Sequence, residues 1–112
     1  MSRDYRLFLE DILESCTRIE RYTRAMSFDQ FVKDDKTYDA VLRNLEIIGE
    51  AVKNLPEEVR LRYNQIEWRK LAGLRDIVAH EYFGVSDEIV WDVIQTKLSS
   101  LRQEIIDIIG QE

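Results

Sequence analysis

Tyr38-Asp-Ala-Val-Leu-Arg-Asn-Leu-Glu-Ile-Ile-Gly-Glu-Ala-Val52 is the stretch on which the fold turns. Tyr38, Val41, Leu45, Ile48 and Val52 recur at steps of three and four, and Leu55 continues the series. That is the period of a helix with one buried face, because residues three and four apart are neighbours on a helical surface. Pro56 forbids Leu55 a helical conformation and ends the helix. Asp35, in the charged run Lys33-Asp-Asp-Lys36, is the expected cap at its start.

The same period extends on both sides. Phe8, Leu9, Ile12, Cys16 and Ile19 predict a first helix from about Arg3 to Ala25. Ser27 can cap a short turn through Phe28 and Phe31. A brief turn from Glu57 to Arg62 follows Pro56. A third helix is expected from near Ile66, through Trp68, Leu71, Leu74, Ile77 and Val78, to about His80, with Gly84 closing the region. Ser86, followed by Asp87 and Glu88, reads as the cap of a fourth helix with acidic groups at its positive end. That helix carries Val90, Ile94, Leu98, Leu101, Ile105 and Ile108. Four main helices with short extra turns, and no alternating segment, predict an all-α antiparallel four-helix bundle in one domain, 1–112.

Gly49 and Gly73 sit inside these helical patterns, where each costs about 1 kcal/mol relative to alanine. Either helices pack closely there, or the missing side chain leaves room for a ligand backbone or phosphate.

Composition narrows the class. With 112 residues, 45% hydrophobic and 34% charged, there is material for one core. A helical domain this short gains stability by pairing with a copy of itself, so a homodimer is expected. The single cysteine, Cys16, can form neither an internal disulfide nor a cysteine-based zinc site, which suits a reducing compartment. No apolar run approaches the roughly 20 residues needed to cross a bilayer, and the N-terminus lacks a secretory apolar stretch. A cytoplasmic protein with no membrane partner is the expectation. The net charge of −6 argues against coating nucleic acid by bulk electrostatics, but a local arginine-lined cleft remains compatible with RNA as a substrate.

Chemistry concentrates in Arg75-Asp-Ile-Val-Ala-His80-Glu-Tyr82. His80 is the only histidine and the one side chain suited to proton transfer at neutral pH without a large shift. A histidine at a helix end can equally well cap carbonyls. Arg75 adds a fixed cation and Tyr82 a phenol. On an ideal helix Arg75 and Tyr82 share a face, whereas His80 is displaced by about 140° from Arg75. One regular helix cannot aim all three at one atom. Either the helix ends before His80, or two copies of the segment assemble the site across a dimer. Metal-free RNA cleavage needs a base for the 2′-hydroxyl, an acid for the leaving oxygen and a cation for the phosphoryl charge. Two opposed Arg/His pairs supply that set.

The segment resembles the R-x4-H-x-Y motif of the HEPN superfamily and, within it, the HepT toxins, with Arg75, His80 and Tyr82 at the motif positions. Tyr38 to Val52 is similar to that family's second helix, and Trp68 to Leu74 to the approach to its catalytic segment. The resemblance implies a HEPN-like helical homodimer with a composite endoribonuclease site that needs no metal or cofactor and acts on RNA, tRNA included. It implies catalysis by Arg75 and His80. It also implies the toxin role in a type VII-like toxin–antitoxin pair, with a minimal nucleotidyltransferase antitoxin, MntA-like, that attaches AMP to Tyr82. A nucleotide there would block the cleft and pair with arginines meant for RNA.

Tyr82 can otherwise be a core or interface aromatic. Arg43, Glu46 and Glu50 follow helical spacing, either as a solvated stripe with an intrahelical ion pair or as support for the site. Asp76 either orients an arginine or faces water. Trp68 and Trp91 read as core or dimer anchors. The rival function is a non-catalytic helical module that binds nucleotide or docks on a nucleotidyltransferase, with Arg75 and His80 serving the interface.

Overall fold

The computed structural model describes residues 4–79 and 86–112, in which eight helical segments and no strand occur. Helix α1 (Asp4–Thr23) buries Leu9, Ile12, Cys16 and Ile19, the apolar stripe of the N-terminal sequence. Ala25 ends the run with φ 65°, a left-handed conformation that no helix continues through. Helix α2 (Phe28–Lys33) starts at a capping box: the Ser27 hydroxyl accepts from the Gln30 N–H, and the Ser27 N–H donates to the Gln30 side chain.

Helix α3 (Asp35–Asn54) is capped by Asp34, not by Asp35 as expected. Asp34 ends α2 in an extended conformation and accepts from the Thr37 N–H at 3.1 Å, so Asp35 becomes the first helical residue. Leu55 is extended before Pro56, and α4 (Glu57–Arg62) follows.

The expected third helix is two pieces, α5 (Trp68–Ala72) and α6 (Leu74–Ala79), broken at Gly73. The Asp76 N–H bonds back only three residues, to the Gly73 carbonyl, and tightens the turn there. The fourth helix starts at the Ser86 cap but is bent into α7 (Asp87–Thr96) and α8 (Leu98–Gln111). Bonds from the Lys97 N–H to Val93 and from the Leu101 N–H to Lys97 carry the ladder through the bend. The Thr96 hydroxyl donates to the Asp92 carbonyl at 2.8 Å, a side-chain bond of the kind that bends helices.

The result is an all-α bundle. Helix α3 is its hub, packed on α1, α2, α5 and α6, and α8 packs on α1. Val41, Leu45, Ile48 and Val52 of α3 meet Ile12 and Ile19 of α1, and Leu101, Ile105 and Ile108 of α8, in one buried cluster. Each such side chain contributes roughly 1.5–3 kcal/mol on leaving water. Trp68 belongs to this core, its indole N–H donating to the Arg60 and Tyr63 carbonyls. Trp91 packs on Phe28 and Phe31, and Phe31 in turn on Tyr38. Among the described residues no helix is long and apolar enough to cross a membrane.

Candidate active site

Arg75 is the second residue of α6, and its position follows from a single missing side chain. A Cβ on Gly49 would lie 2.9 Å from the Arg75 backbone nitrogen, 3.1 Å from the Arg75 Cβ and 3.3 Å from the Ala72 carbonyl oxygen. Helices α3 and α6 therefore touch backbone to backbone, and only glycine permits it. Of the two readings open for Gly49, close packing is the one observed.

The next residue of α3 completes the contact. Glu50 Oε1 lies 2.7 Å from Arg75 Nη1, with the two side chains about equally half-exposed, at 45% and 49%. Of the two readings open for Glu50, a solvated stripe or support for the motif, its side chain reaches across to α6. Arg43 and Glu46 stay there, joined by an intrahelical ion pair of 2.8 Å. Asp76, next after Arg75 in the first turn of α6, is exposed.

Beside Glu50, α1 and α3 enclose a shallow hollow of about 170 Å³, lined by Phe8, Asp11, Arg43, Ile47, Ala51 and Asn54 as well. Partial burial, reinforced by Glu14 and Glu10, holds the Asp11 carboxyl above the ordinary carboxylate range. Among the described residues no three of His, Cys, Asp and Glu are grouped to hold a metal ion.

Helix α3 also holds the start of α7. The Tyr38 hydroxyl donates to Asp87 Oδ1 at 2.5 Å, at the first turn of α7. Arg75 and Asp87 are thus both tied to α3. His80 and Tyr82, and with them Gly84, lie outside the described residues. What the structure brings together is Arg75, Gly49 and Glu50, and at the other end Tyr38 and Asp87. Sequence reasoning missed the pairing of Glu50 with Arg75. The available signal was a carboxylate directly after a glycine that has no local reason to sit in a helix.

These features define a class: an all-helical bundle that carries an arginine of an R-x4-H-x-Y segment on a helix pressed against its central helix. Residues 12–108 match the family described as Ribonuclease HepT-like, and the chain belongs to that family. It is 50% identical over 107 residues to a protein of Methanocaldococcus jannaschii named "Putative RNase MJ0127", covering 96% of this chain and 88% of that one. It is 42% identical to "Putative RNase TTE0752" of Caldanaerobacter subterraneus, over 96% of each chain. It is also 42% identical to "Probable ribonuclease HepT" of Thermococcus cleftensis, over 91% of this chain and 93% of that one. No solved structure matches the chain.

Proposed function

We propose that the protein is a metal-independent endoribonuclease whose catalytic residues are Arg75 and His80, in a site shared by two copies of the chain. The observation that carries this reading is membership of a ribonuclease family over a span that includes the whole R-x4-H-x-Y segment. One His80 imidazole takes the proton from a ribose 2′-hydroxyl, and the freed oxygen attacks the adjacent phosphorus. The bond from phosphorus to the 5′-oxygen breaks, and the opposed imidazolium gives that oxygen its proton. A 2′,3′-cyclic phosphate and a 5′-hydroxyl result. Arg75 donates two parallel N–H bonds to the phosphoryl oxygens as charge grows on them.

The toxin role belongs to the same reading. A partner nucleotidyltransferase would join the Tyr82 phenol oxygen to the α-phosphorus of ATP, releasing pyrophosphate and leaving AMP two residues from His80. The negative phosphate would then compete with RNA for Arg75.

The test is cleavage of RNA by the purified chain in EDTA, with its mass in solution measured by light scattering. The wild type is expected to be a dimer that cuts RNA, and His80→Ala and Arg75→Ala to lose about 10²–10⁴-fold in rate. Equal activity in His80→Ala would sink the assignment. A stable complex with the nucleotidyltransferase, and no RNA loss at any protein concentration, would favour a docking module instead.

A further inference from the structure

We infer that Glu50 is a positioning residue for Arg75, and that Gly49-Glu50 forms a two-residue socket in α3 for the catalytic guanidinium; this rests on the nuclease reading above. The glycine fixes where the backbone of Arg75 lies, since a Cβ there would come within 2.9 and 3.1 Å of Arg75 atoms, closer than a side chain allows. The carboxylate fixes where the guanidinium points, through the 2.7 Å contact to Nη1.

Stability does not explain the pair. Both side chains are nearly half exposed, and ion pairs in that setting contribute little to folding because water and salt screen them. Orientation is another matter. An arginine side chain carries a large share of rotamer freedom, and a catalytic cation acts only if it already lies where charge develops. Glu50 restricts that freedom from a rigid platform, since α3 is the hub of the bundle.

The pair is also compatible with substrate. A guanidinium has five N–H donors, and the contact to Glu50 engages those on one terminal nitrogen. Donors remain for a phosphate on the other edge. Arg43, the next cation along α3, shows the contrast: its partner Glu46 lies on its own helix, so that pair orients nothing on α6.

The experiment uses the full chain and two readouts. The first is the Nε–Hε resonance of Arg75 in the ¹⁵N NMR spectrum, assigned by its loss in Arg75→Lys. Glu50→Gln should shift and broaden it, whereas Glu14→Gln, which breaks an intrahelical pair with Arg18, should leave it unchanged. The second is steady-state RNA cleavage. Glu50→Gln should lower kcat by on the order of tenfold to a hundredfold with KM changed less. In an Arg75→Ala background the same substitution should have no further effect, since Glu50 would act only through Arg75. The thermal midpoint should move by no more than about 2 °C. An unshifted resonance, or a kcat loss that persists in full without Arg75, would overturn the assignment. A wild type that cuts no RNA, together with a resonance that does respond to Glu50→Gln, would overturn the nuclease reading and leave the socket standing.

Discussion

Gly49 has no side chain because the backbone of Arg75 occupies the place where one would go. Alanine there gains about 1 kcal/mol of helix propensity. It also forces a methyl group against main-chain atoms at 2.9 Å, an overpacking that typically costs about 1–3 kcal/mol. Gly49→Ala should therefore unfold at lower urea concentration than the wild type. Gly73→Ala, whose Cβ would come no closer than 3.3 Å to any atom, should be affected less. Equal midpoints for all three proteins would remove the close crossing from the account. At Cys16, burial, with a smaller push from Glu20, raises the thiol from 9.0 to about 12. The folded chain keeps a proton that the unfolded chain gives up, so this contribution is complete below pH 9.0 and fades as pH climbs towards about 12. The stability advantage of wild type over Cys16→Ala should shrink across that window in denaturant titrations. A constant difference would contradict the burial of the thiol.

Among the elements, the motif helix depends on its neighbours more than on itself. Helix α6 has six residues, far too few to hold together in water alone. It is held by the crossing at Gly49 and by packing on α3 and α5, while the start of α7 has anchors of its own. The Ser86 hydroxyl accepts from the Glu88 and Ile89 N–H groups, and the Tyr38 hydroxyl ties Asp87 to α3. Ser86→Ala should cost about 1 kcal/mol and Tyr38→Phe about 0.5–1.5 kcal/mol, read by chemical denaturation. A change of zero in Tyr38→Phe would mean that the α3–α7 tie is not formed in solution. Apolar periodicity located α1 and α3 well, and the cap chemistry of Ser86 with Asp87 and Glu88 marked the start of α7. Interruptions were harder to see. Gly73 and Lys97 lie within unbroken apolar patterns, and the break at one and the bend at the other come from hydrogen bonds over three or four residues, which hydropathy does not register. The shift of the cap from Asp35 to Asp34 is of the same kind, since either aspartate satisfies the composition and only the backbone angles decide.

At the scale of the whole molecule, α3 organises the core and holds Arg75 of the candidate site. One face of it meets α1 and the buried cluster, and the Gly49-Glu50 step meets α6. Arg75 stood out in the sequence as a candidate because it belongs to an eight-residue segment with a recognisable spacing. Glu50 could be named from its spacing as a possible support for the site, but its pairing with Arg75 could not, because that partner is 25 residues away and only the crossing of two helices brings them within reach. A charge at helical spacing looks the same whether it faces water or another helix.

The two tryptophans give the protein a pair of internal optical reporters. Trp68 is sealed into the interior at 7% exposure, just ahead of the motif helix, whereas Trp91 is only partly covered by Phe28 and Phe31. Their emission should differ in colour and in access to a soluble quencher. Loosening on either side of the motif segment would then register as a separate fluorescence change, without any label attached.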